Sequence, residues 1–380
     1  MGAERPPTLD EVWARVPAEV AEARFGRARA PLGQLVAQVS EGYTRERGDL
    51  RRASTGRDAM HARLRFFLPR DLAKVALPLH ELDAAGLLPA RRWRVLDLGA
   101  GLGTTSLGAA WYASRRETPP EQIAVDAVER DAAALGAFEA LAARHGELGL
   151  PAMTLRTRVG DLKKGVRERG PYDLILLGLV LNELPFAERR GLLEGLAAKL
   201  APGGSLIVLE PALREVTREL HRLRDELLEA GALSVFAPCP HAAPCPMRAT
   251  KKDWCHEDVP FRLPDPLAEV ARAAGLRFER LTFAYLTLRR DDARRAAGDE
   301  WRVVSQPLKT KGKLELWLCG GAGERRKLMR LDRKASEANA AFGEARRGDL
   351  LRLGSDSKRV GPDDAVERRH PRLAGPRTGE

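Results

Sequence analysis

The sequence predicts an α/β protein built around a parallel sheet with helices on both faces. Three observations predict it. Short apolar runs alternate with helical segments from residue 94 to residue 211, the pattern of βαβ units joined by right-handed crossovers. The first run, 95–98, is followed by Gly99, Gly101 and Gly103 and then by a helical segment at 104–113. Strand, glycine loop and helix open a nucleotide-binding sheet. Polar residues close the apolar runs, namely Asp97, Glu129, Asp161, Asn182 and Glu210, and ligands of such sheets gather at the carboxyl ends of the strands.

Residues 1 to about 90 read as helical, because Val12, Val16, Val20 and Ala21 recur at helical spacing, as do Leu64, Phe67, Leu68, Leu72, Val75 and Leu79. Between these groups, 44–61 is arginine-rich. That is a solvated face by default and a phosphate-contacting face as the alternative. Strands are expected at 95–98, 123–128, 154–159, 172–177 and 205–209, with helices at 131–146 and 186–200 and a Pro202-Gly203-Gly204 turn before the fifth strand. A helix at 213–230 carries arginines on one face. Next comes a proline-rich loop in which Pro238, Pro240, Pro244 and Pro246 exclude helix and ladder. It holds Cys239, Cys245 and Cys255, while Cys319 is remote. A helix at 266–274 and strands within 276–288 lead to a charged linker, 291–299. The runs 301–304, 313–318 and 327–331 predict a small β unit. Its loop places Lys309, Lys311 and Lys313 near Trp317, which suits RNA backbone contacts. From about Leu353 the tail is polar and is expected to be disordered. The expected division is a helical region 1–90, an α/β domain 91–295 with a Cys-rich insertion 236–258, a basic β unit 296–352 and a tail 353–380.

Composition narrows the function. A chain of 380 residues can hold two or three domains, and its formal net charge of +11 suggests an acidic partner, nucleic acid first, against the alternative of an arginine-rich solvated surface. No run of 18 apolar residues is present, so no membrane span is expected. The first residues carry Glu4, Asp10 and Glu11 without an apolar core, which fits neither a secretory signal nor an acid-poor transit peptide. Pro6 breaks the myristoylation pattern. A cytoplasmic protein is expected, whose four cysteines serve as metal ligands rather than disulfides.

The glycine spacing narrows the ligand. A dinucleotide loop needs a third glycine where Thr104 stands, and a P-loop needs a lysine that is absent. What remains, D-x-G-x-G-x-G from Asp97 to Gly103, resembles motif I of class I S-adenosylmethionine (SAM) methyltransferases. With SAM bound, Asp97 can orient the loop amides and receive the methionine ammonium. Glu129 can accept the ribose hydroxyls, although it lies 30 residues beyond Gly99 against a usual interval of about twenty. Asp161 can accept from the adenine amino group, and Asn182 and Glu183, the catalytic candidates, face the transferable methyl. Two blander roles stand beside these: Asp161 caps a turn, and Asn182 caps a helix with Pro185 in its first turn. The four cysteines can supply one tetrahedral site. Their spacing is not C-x-x-C, His241 or His256 can replace a thiol in a zinc site, and four unconnected cysteines are the alternative.

Several stretches occur in a telling order: V-L-D-L-G-A-G-L-G-T, L-V-L-N-E-L, A-P-C-P-H-A-A-P-C-P, D-W-C-H, F-A-Y-L-T-L-R-R, S-Q-P-L-K-T-K-G-K-L-E-L-W-L-C and A-R-R-G-D-L-L. From about 47 to 352 the chain resembles the methyltransferase-like ribosomal small-subunit assembly family, whose mitochondrial members act on the mitoribosome. The resemblance implies a class I SAM-dependent methyltransferase (Rossmann-like) sheet with an N-terminal helical extension, a Cys-rich metal loop and a small C-terminal β unit. It implies a 4Fe-4S cluster on Cys239, Cys245, Cys255 and Cys319, with zinc as the alternative. It also implies small-subunit rRNA as partner. No membrane partner is expected, and off the ribosome a monomer is expected. Two functions are then expected: an enzyme methylating rRNA, or a non-catalytic assembly factor in which SAM and the cluster are structural supports.

Overall fold

The computed structural model describes residues 8–45, 56–354 and 357–369. Of the arginine-rich stretch expected at 44–61, residues 46–55 lie outside the described residues. The chain opens with helices α1 (Val12–Phe25), α2 (Leu32–Arg45), α3 (Arg57–Ala62), α4 (Leu68–Asp71) and α5 (Ala76–Ala84). A π turn, Arg63–Phe67, joins α3 to α4, and a 3-10 turn, Leu72–Val75, joins α4 to α5. Trp13, Val16, Val20 and Ala21 form the buried stripe of α1, as their spacing requires.

The α/β core follows: β1 (Arg92–Leu98), α6 (Thr104–Ala113), β2 (Gln122–Glu129), α7 (Ala132–Ala142), β3 (Ala152–Val159), β4 (Tyr172–Gly178), α8 (Phe186–Ala197), β5 (Leu200–Pro211) and α9 (Arg214–Ala230). Then come β6 (Ser234–Ala237), β7 (Glu257–Pro260), α10 (Asp265–Ala273) and β8 (Arg280–Arg289). The strands order as β3-β2-β1-β4-β5-β8-β6, with β7 also on β8. β1 to β5 run parallel and β8 runs antiparallel to β5. This is a doubly wound, Rossmann-like α/β fold with flanking helices, and its switch point, where the winding reverses, lies between β1 and β4. The Pro202-Gly203-Gly204 turn expected before the fifth strand is instead part of β5, whose pairing with β4 shifts register between Tyr172 and Leu174.

One face of the sheet packs on α6, α7 and the N-terminal helices, and the other on α8 and α9. The first contact is close because of Gly108. A Cβ there would overlap the Leu72 carbonyl oxygen, so α6 lies directly on the 3-10 turn. Buried polar contacts reinforce it: Tyr285 on β8 donates a 2.6 Å hydrogen bond to Glu81 on α5, and Arg295 reaches the same carboxylate at 2.9 Å.

The C-terminal region is a second sheet, larger than the small unit expected. It holds β9 (Glu300–Val303), β10 (Leu308–Thr310), β11 (Lys313–Cys319), β12 (Arg325–Leu331), β13 (Leu350–Leu353), β14 (Arg359–Val360) and β15 (Val366–Arg369), with α11 (Ala340–Glu344). Its order is β14-β12-β11-β9-β13-β15, with β10 beside β11. The tail expected to be disordered therefore supplies two strands. Val360 and Val366 enter a core with Leu316, Leu318, Leu328 and Phe342, which the polar composition of the tail concealed.

Candidate functional site at the carboxyl ends of the strands

Gly99, Gly101 and Gly103 all have left-handed backbones, with φ of 68°, 54° and 76°, a region glycine enters without the cost a Cβ brings. Their surroundings separate them. A Cβ at Gly99 would overlap Val180, and one at Gly103 would overlap Phe138 on α7. At Gly101 the nearest atom would be Arg63 Nη2, at 3.5 Å. Two glycines thus serve packing, and the middle one has only the Arg63 guanidinium beside it.

The loop hangs on the end of β2. The Val128 carbonyl accepts from Gly99 N (2.8 Å) and Ala100 N (3.1 Å). Glu129 accepts from Gly101 N at 3.0 Å, and from Arg130 N and Asp131 N at 2.8 and 2.9 Å. The structure therefore places Glu129 against the glycine loop. Asp97, 1% exposed at the end of β1, accepts a 2.6 Å bond from Ser106 in the first turn of α6. Burial pushes its pKa up to about 6, the neighbouring Glu129 charge adds to this, and Ser106 opposes it.

Asp161 caps the 3-10 turn after β3, accepting from Lys163 N at 3.0 Å. Asn182 is not the cap of α8, which begins at Phe186 behind Pro185. It lies in the 3-10 turn Leu181–Glu183, whose backbone is held by Glu210 at the end of β5. Glu210 Oε1 accepts from Leu181 N (2.9 Å) and Asn182 N (3.3 Å). Burial pushes the Glu210 pKa up to about 8, against those two hydrogen bonds. Just before the turn, Leu179 takes a left-handed φ of 63°, a strained conformation of the sort that surrounding structure must hold in place. Glu183 pairs with Arg130 at 2.8 Å, joining the ends of β4 and β2. Burial raises the Glu183 pKa, and Arg130 opposes that.

Three side-chain oxygens at the ends of adjacent strands are buried without a partner among the described residues: Asp97 Oδ1, Asn182 Oδ1 and Glu210 Oε2. A buried unpaired polar atom costs about 1–3 kcal/mol, so three at the ends of neighbouring strands call for a partner such as ligand or water. Sequence reasoning found the strand-end residues because their positions follow from the topology. It missed Arg63 and Ser106. Arg63 stands upstream of the sheet in a helical stretch that carries no ligand signature.

The cysteines require a correction. Cys239, Cys245, Cys255 and Cys319 line one cavity, and all four are free. Among the described residues, no group of three or more His, Cys, Asp or Glu is placed to hold a metal ion. This overturns the Cys-rich metal loop, the 4Fe-4S cluster and the zinc alternative. Two of the thiols are engaged separately. Cys319 Sγ lies 3.3 Å from His241 Nε2, and Cys255 Sγ accepts from Arg302 at 2.9 Å. Burial pushes the Cys245 thiol up to about 12 and the Cys319 thiol higher still, which disfavours the thiolate that metal binding requires. The prolines do hold an irregular loop, in which Cys245 and Cys255 pack with Met247 and Val304 while Cys239 packs against the core of the first sheet.

A family model described as mitochondrial small ribosomal subunit Rsm22 matches residues 89–352, more than half of the chain. The match begins just before β1, so the N-terminal helical layer lies outside it. The chain is 34% identical over 127 residues to a protein-L-isoaspartate O-methyltransferase of Methylorubrum populi, 33% of this chain and 48% of that protein. It is 35% identical over 127 residues to the corresponding enzyme of Methylorubrum extorquens, 33% of this chain and 45% of that one. The chain spans about half the length of these curated relatives. A structural likeness to the magnesium protoporphyrin IX methyltransferase of Synechocystis PCC 6803, solved with bound SAM, covers 70% of this chain and 100% of that one, at 15% identity and a TM-score of 0.34. No helix among the described residues is long and apolar enough to cross a membrane.

Proposed function

This chain belongs to the Rsm22 family, described as mitochondrial small ribosomal subunit Rsm22, and on that premise we propose that it is a SAM-binding, methyltransferase-like protein acting on the small ribosomal subunit. The observation that carries the ligand is the unpartnered Asp97 Oδ1, buried at the end of β1 where the glycine loop begins. The surroundings fit SAM. Asp97 Oδ1 is a buried acceptor for the α-ammonium, the start of α6 has no side-chain cap and offers amides to an anion, and Glu129 lies where ribose hydroxyls are accepted in related sheets. Asp161 would serve the adenine amino group from the turn it caps. SAM supplies an electrophilic methyl when bound. The chain's own residues bind and orient: Glu210 holds the turn that presents Asn182, and Asn182 Oδ1 can accept a hydrogen bond from an amino group brought to the site. The catalytic assignment of Asn182 and Glu183 rests on that placement. rRNA is the proposed partner, from the family description and the net charge of +11.

A second reading, a SAM-binding assembly factor without catalysis, is favoured by the Arg130–Glu183 ion pair, which occupies one of the two catalytic candidates. Calorimetry with SAM tests the ligand. The wild type is expected to bind and Gly101→Asp to lose binding, because a carboxylate there would neutralise Arg63 and crowd the loop. Equal affinity in both would remove SAM from this site. Transfer of labelled methyl groups from SAM to purified small subunits then separates enzyme from factor.

A further inference from the structure

We propose that Arg63, from the N-terminal helical layer, is the counter-ion for the carboxylate of the methyl donor. The inference rests on SAM binding at the glycine loop. Arg63 opens the π turn Arg63–Phe67, and such turns interrupt helices frequently at functional sites. Its side chain is 17% exposed. Nη1 donates to Met60 Sδ at 3.4 Å and lies 3.7 Å from Asp131 Oδ2. Nη2 lies 3.5 Å from where a Cβ at Gly101 would stand. The guanidinium charge also acts on Glu183, where it opposes the upward shift that burial imposes. One cation from outside the sheet thus reaches the loops that follow β1, β2 and β4.

The charges around the loop match an α-amino acid. Asp97 Oδ1 is an unpartnered acceptor, 99% buried with its residue, and suits an ammonium. The uncapped start of α6 and the Arg63 fork suit a carboxylate, which guanidinium binds in bidentate fashion. Asp131 orients the fork. Its Oδ1 caps α7 through Ala133 N and Ala134 N, while Oδ2 faces Arg63. The helical layer is then part of the ligand site as well as packing for the sheet.

The test compares two ligands by calorimetry. S-adenosylhomocysteine carries the carboxylate, and 5′-methylthioadenosine lacks the whole amino-acid portion. Arg63→Met should weaken S-adenosylhomocysteine roughly 10- to 100-fold, the worth of a charge-assisted contact, and leave methylthioadenosine within about twofold. Arg63→Lys should fall between, since lysine keeps the charge and loses the fork. Equal weakening of both ligands would make Arg63 merely structural and overturn the proposal, as would no weakening of either. A wild type that binds neither ligand would refute the SAM reading itself, and so is distinguishable from failure of the Arg63 assignment.

Discussion

At the scale of the residue, the glycine loop divides its three glycines by what surrounds them. Gly99→Ala and Gly103→Ala each add a methyl that would overlap Val180 or Phe138, on a backbone already left-handed. Each should cost about 2–4 kcal/mol, overpacking and strain combined. Gly101→Ala meets no backbone or core atom and should cost only the strain, about 1 kcal/mol. Urea denaturation of the three variants should separate them in that order, and three equal losses would contradict the division. Glu210 gives a pH prediction. Its folded pKa of about 8 lies above its ordinary value of 4.5, so the folded protein holds this proton longer than the unfolded chain. The stability this contributes is complete below about pH 4.5 and is lost as pH rises through about 8. Asp97, raised to about 6, acts in the same direction over a lower window. Urea midpoints of the wild type should therefore fall between pH 6 and 9. Glu210→Gln, which keeps an acceptor for Leu181 N and Asn182 N, should flatten that slope. Parallel curves for the two proteins would show that Glu210 does not titrate in this range.

At the scale of the element, the β10–β11 hairpin carries the basic loop that the sequence singled out. Lys309 and Lys311 are exposed on it. Lys313 is engaged, lying 3.2 Å from Glu315, which also pairs with Lys327 at 2.9 Å. The loop therefore offers two lysines to phosphate where the sequence suggested three. Binding to small subunits should weaken with salt, and replacing Lys309 and Lys311 together by alanine should reduce the log–log slope by roughly one to two units. Filter binding across salt concentrations reads this directly. A wild-type slope near zero would reject an RNA partner, and an unchanged slope in the double variant would move the contact to other arginines.

At the scale of the molecule, buried ion pairs tie the two sheets together. Arg302 on β9 pairs with Glu257 on β7, and both side chains are almost wholly buried. Glu81, Tyr285 and Arg295 link the helical layer, the first sheet and the linker in the same way. Removing one partner of such a pair strands a charge and should cost about 3–5 kcal/mol. Arg302→Leu is therefore expected to lower the urea midpoint and to open 291–299 to protease. The double variant with Glu257→Leu should recover much of the loss, because no charge is left stranded. A single variant as stable as the wild type would show that the apolar contact around Met247 and Val304 suffices to dock the second sheet.

Much of this was legible in the sequence. Strand and helix periodicities are local, and so are the glycine loop and the strand-end positions of Asp97, Glu129, Asp161, Asn182 and Glu210. A parallel sheet lines those positions along one edge without further information. Three things depended on contacts between distant segments. Arg63 reaches Gly101 across the contact between the N-terminal helices and the sheet, in which α6 lies on the 3-10 turn at Gly108. Cys319 and His241 meet because the sheets dock, and burial raises the Cys245 and Cys319 thiols, so that among the described residues no metal-ligand set converges where four cysteines had suggested one. Val360 and Val366 are strand residues because a core surrounds them, although their own stretch is polar. Local pattern determines which elements form. Which side chains share a site is decided by packing, since that depends on how far each backbone is allowed to approach the next.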